Sequence, residues 1–231
     1  MSEATLLISS KNYSSWSLRG FLLAKLSGIN FTEEHVSPDD PRAREELLMR
    51  TSSILVPCLI HGDVSVWDTL AIAEYLNEVF PEANMLPKEK QARARCRSIA
   101  GEMHSGFSAL RERCTMNCGV RIQLHDMPQA LLDDVARIDE LWREGLARFG
   151  GPFLAGARFH AVDAMYAPIA LRVQTYGLAF FGEAAAYAQR LRALPAMQEW
   201  YAAALRETWR EPGHEAEAKA TGTWLEDLRA G

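Results

Sequence analysis

Tyr13-Ser14-Ser15-Trp16-Ser17 places four hydroxyl-bearing side chains within five residues, after an apolar run and before a helical stripe. At a strand-to-helix junction, unpaired N–H groups and the positive end of the helix dipole favour an anion, so this position suits a thiolate or a phosphate. The ordinary role of Ser14 or Ser15 there is to cap the helix. Val56-Pro57 precedes another apolar run; a proline at that point cannot donate to a ladder and marks an edge, a strand start or a cis bend. Asp68-Thr69 opens a further helical stripe, and both residue types are common caps. The same pair would also hold an amino-acid-like ligand, Thr69 and the first helix N–H groups taking its carboxylate and Asp68 its ammonium.

Cys114 and Cys118 lie one helical turn apart, with His104 and His125 in the same region, but at no recognisable zinc spacing. No metal site is expected, and the thiols read as small buried hydrophobes. A phosphate-binding glycine loop, a dinucleotide fingerprint and a G-x-S-x-G elbow are all missing from the sequence.

The elements that must position these residues follow from periodicity. Thr5 to Ser9 reads as a strand and Trp16 to Leu26 as a helix, with Leu18, Phe21, Leu22 and Leu26 at helical spacing. Phe31 to Val36 has weak strand character, and Pro41 to Met49 is a short charged helix. Cys58-Leu59-Ile60 and Val64 to Trp67 flank a hairpin-like His61-Gly62-Asp63, and Thr69, Ile72, Ala73, Leu76 and Val79 form a helical stripe. The order is βαβαββα over residues 1–80. Two prolines, Pro81 and Pro87, bracket a polar linker at 81–88. Residues 89–231 read as all-α: Ile99, Met103, Phe107, Leu110 and Cys114 make one long amphipathic stripe and Leu131 to Phe149 a second. Asp163 to Tyr176, Ala184 to Leu191 and Pro195 to Trp209 follow as shorter helices.

The 231 residues are 48% hydrophobic and 24% charged, which suits a folded chain able to bury a large core. A net charge of -5 and the lack of a basic run argue against nucleic acid and anionic membrane surfaces. Four scattered cysteines are too few for a disulfide scaffold, and Met1-Ser2-Glu3 at the start lacks a basic, then apolar, leader. No stretch is apolar enough to span a membrane, so a cytoplasmic protein is expected.

Together, Val56-Pro57, the helix Trp67-Asp68-Thr69-Leu70-Ala71-Ile72-Ala73-Glu74-Tyr75-Leu76 and the helical second half resemble the cytosolic glutathione transferase family over nearly the whole chain. Ser14-Ser15-Trp16-Ser17-Leu18-Arg19 is similar to the S-S-C-S-x-R motif of its zeta class, which includes maleylacetoacetate isomerases. The resemblance implies a thioredoxin-like first domain (α/β), an all-α second domain, glutathione as co-substrate, a small electrophile as the other substrate, and a homodimer. It makes Ser14 the catalytic hydroxyl, with Ser15 its nearest rival and Tyr13 a third candidate. It places Leu55, Val56 and a cis Pro57 against the cysteinyl part of glutathione, and Asp68 and Thr69 at its γ-glutamyl end. The electrophile pocket would lie between the domains, near Trp16, Met103, His104, Phe107 and Arg111; Arg111 would suit an acidic second substrate.

Three departures stand out. Trp16 occupies the place of the motif's cysteine, Thr51 to Leu55 replaces an N-P-x-G-K pattern whose lysine could meet the glycyl carboxylate, and His160-Ala161-Val162-Asp163 has an imidazole where a hydroxyl usually caps. The implied activity is glutathione transfer to an electrophile. Glutathione-dependent cis–trans isomerisation and a non-catalytic binding module on the same fold are the alternatives.

Overall fold

A computed structural model describes residues 4–37 and 41–230; Met1 to Glu3, read above for a leader, lie outside them. β1 (Ala4–Ile8), α1 (Ser15–Ser27), β2 (Phe31–His35), α2 (Pro41–Arg50), β3 (Cys58–His61), β4 (Val64–Trp67) and α3 (Thr69–Val79) reproduce the order βαβαββα. The sheet runs β2-β1-β3-β4, with β1 parallel to β2 and antiparallel to β3, and β3 antiparallel to β4. β1 is central and covered on both faces, which is why it reads as an unbroken apolar run. Leu6 and Ile8 pack with Leu18, Phe21 and Leu22 of α1, while Leu7 turns to the other face with Val36, Leu47 and Cys58. This is the thioredoxin-like arrangement.

Ser14 starts α1 as its N-cap, accepting the Ser17 N–H, and Gly28 ends it at φ 75°, a left-handed conformation that glycine adopts freely. Gly20, in the middle of α1, permits a close approach: a Cβ there would stand 2.6 Å from Pro57 Cβ. Helix and Val56-Pro57 bend are thus in direct contact. Gly20→Ala should push them apart, costing about 1–3 kcal/mol of stability by thermal or denaturant unfolding, since overpacked sites rarely relax fully.

The rest of the chain is mainly helical: α4 (Lys90–Ser105), α5 (Ser108–Arg113), α6 (Gln129–Phe149), α7 (Ala161–Tyr176), α8 (Gly182–Ala193), α9 (Pro195–Arg206) and α10 (Pro212–Thr221). α7 is buried along almost its entire length and packs on α1, α4 and α8. The Trp142 ring on α6 stacks on Phe180 at 4.9 Å and meets Tyr187 edge-on at 4.9 Å. His160 Nδ1 lies 3.0 Å from the Asn84 carbonyl oxygen, and the Ala161 N–H donates to the Met85 carbonyl at 2.8 Å, tying the start of α7 to residues 84 and 85.

Two features differ from the sequence expectation. The stripe from Ile99 to Cys114 is two helices rather than one, because Gly106 leaves the helical region and Phe107 takes φ 61°. The mainly helical part also contains a two-stranded sheet, β5 (Val120–Leu124) paired antiparallel with β6 (Gly222–Asp227) across a bulge at Arg121/Ile122. Val120 and Ile122 face inward between less buried neighbours, a strand alternation too short to separate from a helical pattern by period alone.

Candidate active site

The segment between β1 and α1 is anchored by a residue that follows α9. Glu207 accepts the Ser10 hydroxyl at 2.6 Å and the backbone N–H of Lys11 and Asn12 at 3.0 and 3.3 Å. The Trp200 indole N–H donates to the Lys11 carbonyl at 2.9 Å. These contacts fix the backbone that delivers Ser14 to the N-terminus of α1.

Ser14 is half-buried, whereas Ser15 and Ser17 are buried. Its Oγ accepts the Ser17 N–H at 3.2 Å and donates to Ser17 Oγ at 2.8 Å, while Ser17 Oγ also accepts the Ser9 N–H at 3.0 Å. Ser17, which the sequence offered only as a member of the hydroxyl cluster, therefore orients the Ser14 hydroxyl. Ser17→Ala should leave the buried Ser9 N–H without an acceptor, at about 1–3 kcal/mol in unfolding measurements. Ser15 Oγ lies 3.4 Å from the buried Arg19 guanidinium, which also donates to the Ser15 carbonyl. Tyr13 donates its hydroxyl to Glu215 at 2.6 Å and receives Arg229 at 2.9 Å, and burial together with Glu215 raises its ionisation above the ordinary tyrosine range.

A cleft of about 400 Å³ opens in front of this helix end, lined among others by Ser14, Ser15, Trp16, Leu55, Val56 and Arg111. The Val56-Pro57 peptide is cis, Leu55 is exposed, and Pro57 lies beneath against Gly20. Asp68, Thr69 and His104 are not among the residues that line the cleft, though His104 meets the ring of the lining Trp16 at 5.2 Å. Asp68 caps α3 from φ 72°, ψ 134°, a region that costs a non-glycine residue about 1–3 kcal/mol. Its carboxylate accepts the Leu70 N–H at 2.8 Å and meets His104 Nε2 at 2.6 Å. The buried Thr69 hydroxyl has no hydrogen-bond partner among the described residues.

Met103 and Phe107 are packed into the core, buried among Ile99, Leu110 and Ile138, and neither is among the residues that line the cleft. Helical spacing alone marks the packed face of an amphipathic helix, and it cannot say whether that face meets protein or ligand. Arg111 does reach the cleft, but its guanidinium also folds back onto the carbonyls of Met103, His104 and Gly106, closing the C-terminus of α4. Arg172 on α7, together with Thr115, Met116, Glu211 and His214, lines the cleft without having been singled out. A single arginine in the apolar run from Ala164 to Val173 was the available signal for the first of these. Among the described residues, no three His, Cys, Asp or Glu side chains converge on a possible metal position. All four cysteines are free and buried, and burial lifts the Cys58 thiol to about 11 and those of Cys96, Cys114 and Cys118 to about 12, so none is an activated nucleophile. No helix among the described residues is long and apolar enough to cross a membrane.

The glutathione S-transferase N-terminal domain family matches residues 13–79. Glutathione S-transferase 1 of Dianthus caryophyllus is 36% identical over 87 residues, covering 38% of this chain and 36% of its own length. Glutathione S-transferase U12 of Arabidopsis thaliana is 30% identical over 136 residues, 56% of this chain and 52% of that protein. The matched stretches thus span between about a third and about half of these relatives. Among solved structures, a Burkholderia glutathione transferase homologue with bound glutathione superposes with a TM-score of 0.64 at 22% identity, over 87% of this chain and 97% of that one. The Tau class enzyme from Mangifera indica gives 0.66 at 20% identity, over 94% and 96%. At these identities the structural likeness is one of fold. None of these relatives is named as a zeta-class enzyme, so they lend no support to the zeta-class likeness of Ser14 to Arg19. Residues 13–79 thus match the glutathione S-transferase N-terminal domain family, within a chain that has the glutathione transferase fold.

Proposed function

We propose that this protein is a serine-type glutathione transferase, in which the Ser14 hydroxyl stabilises the thiolate of glutathione for attack on an electrophile in the same cleft. The observation that carries the reading is a half-buried serine hydroxyl at the N-terminus of α1, opening onto a cleft whose other lining includes Val56 beside a cis proline. The Ser14 O–H, now directed at Ser17 Oγ, would exchange a neutral acceptor for a charged and stronger one on turning to a thiolate. Hydrogen bonding to the charged form, aided by the helix end, lowers the thiol pKa from its reference of about 8.5. The thiol proton leaves to solvent, the sulfur lone pair forms the S–C bond, and either a leaving group departs or the resulting carbanion takes a proton from water.

Ser15 suits this role less well, being buried with Arg19 against it. Val56 would pair its backbone with the cysteinyl unit, and Thr69 and Asp68 would take the γ-glutamyl carboxylate and ammonium, the latter displacing His104 from its contact at 2.6 Å. Calorimetric titration of glutathione at neutral pH tests the reading. Saturable binding at or below the millimolar range, with conjugation of a reactive aryl halide, is the expected result; the absence of both would refute it. A zeta-type isomerase is kept in view only by the Ser14 to Arg19 motif and would show isomerisation of a cis enedione without net loss of glutathione.

A further inference from the structure

Behind Trp16 lies a feature that thiolate activation does not use. The Arg19 guanidinium stands 4.5 Å from the centre of the Trp16 ring and that of Arg111 at 4.7 Å. Arg19 is fully buried and Arg172 is 4% exposed. Among the described residues neither Arg19, Arg111 nor Arg172 forms an ion pair. Their hydrogen bonds go mainly to carbonyls: Arg19 Nε to Met165 at 2.8 Å, Arg172 Nε to Cys114 at 2.7 Å, and Arg111 Nε to Gly106 at 2.9 Å. Among the described residues, Arg19 Nη2 and Arg172 Nη1 are buried with no hydrogen-bond partner. Arg172 and Arg111 both line the cleft that Ser14 faces. The carboxylate among the lining residues, Glu211, meets His214 at 3.2 Å.

Buried cations are ordinarily paired with anions, because desolvation without a counter-charge is expensive. Here burial, and then the proximity of Arg111, lowers Arg172 to about 10, and Arg19 is lowered by burial and by both neighbours. At about 10 the Arg172 guanidinium remains charged at neutral pH, and the planar fork of arginine matches carboxylates and sulfonates. Trp16 adds an apolar surface beside them.

We propose that the electrophile half of the cleft is built for an anionic acceptor substrate, a carboxylate- or sulfonate-bearing electrophile whose charge is held by Arg172 and Arg111 beside the Trp16 ring. This rests on the glutathione reading above. Arg19, which lies outside the cleft lining, is a positioning residue that holds Trp16 and adds to the local positive potential.

The test compares two glutathione conjugates of equal length, S-carboxypropylglutathione and S-butylglutathione, by calorimetry at neutral pH. The acid should bind about tenfold or more tightly, equivalent to one charge-assisted contact. The preference should disappear in Arg172→Met and weaken in Arg111→Met. The unaltered protein alone decides the sign of the preference, so a poorly folding variant does not obscure it. Equal affinities would overturn the anion site while leaving glutathione binding intact. Equal affinities that fall together in Arg172→Met would assign the arginines to glutathione's own carboxylates and would also overturn it. If neither conjugate binds, the glutathione reading fails, and titration of naphthalene sulfonate against naphthalene sulfonamide decides the anion site separately. A preference for the sulfonate that depends on Arg172 would uphold the site, whereas no preference would overturn it.

Discussion

Ser14→Ala is expected to lower kcat/KM for glutathione conjugation by about 10²-fold, the usual scale for losing one donor aimed at developing or stabilised negative charge. Glutathione affinity should be largely retained, because in the proposed reading Val56, Asp68 and Thr69 would supply separate contacts. The reasoning follows the proton: at pH 7 an unassisted thiol with a pKa of about 8.5 is only a few per cent ionised, so most of the bound co-substrate becomes unreactive. Ser14 is also the cap of α1, accepting the Ser17 N–H at 3.2 Å, so the variant should lose about 1 kcal/mol of stability. Steady-state kinetics with a parallel melting curve separates the two effects. Ser15→Ala is the control: if it abolishes turnover and Ser14→Ala does not, the activating hydroxyl is the other one.

The second large effect concerns α7, the helix that carries Arg172 and packs on α1. Asp163 is fully buried and accepts the His160 N–H at 2.8 Å, the Leu154 N–H at 3.1 Å and the Tyr187 hydroxyl at 2.7 Å. Asp163→Ala strands all three donors, and a loss of about 3–5 kcal/mol is expected. For a chain of this length that is about 6–20 °C in Tm. Activity per folded molecule at low temperature should be unchanged, which distinguishes this variant from Ser14→Ala. Burial outweighs the donors and raises the Asp163 carboxyl to about 6. Its favourable contribution is therefore complete below the unfolded-state value of about 3.9 and is lost as pH rises through about 6. The magnitude is about 3 kcal/mol, at 1.36 kcal/mol for each tenfold change in proton affinity. Unfolding free energies across that window should show this decline in the native protein and not in Asp163→Ala.

What the sequence made legible was local. A serine before a helical stripe, a proline before a strand and an acid-hydroxyl pair before the next helix are signals carried by adjacent residues, and the structure shows a cap at Ser14, a cis bond at Pro57 and a cap at Asp68. The reach of Asp163 back to His160 was equally local, whereas the contact of the His160 imidazole with the Asn84 carbonyl was not. Distant pairings were not legible. β5 meets β6 about a hundred residues later in the chain, and Glu207 anchors Ser10 across nearly the whole sequence, so no window contains both partners. Met103 and Phe107 show the complementary limit: a helical stripe identifies an inward face, but core and pocket give the same period. Arg172 was hidden by its surroundings, since a charge in an apolar helix acquires meaning only when the cleft beside it is known.

The most direct test of serine activation is the ionisation of glutathione bound to the protein, followed by thiolate ultraviolet absorbance as pH is raised, in the native protein and in Ser14→Ala. The bound thiol should titrate well below its reference of about 8.5 in the native protein and return toward that value when the hydroxyl is removed. A bound thiol that titrates at its free value, or a depression that survives unchanged in Ser14→Ala, would contradict thiolate stabilisation by Ser14.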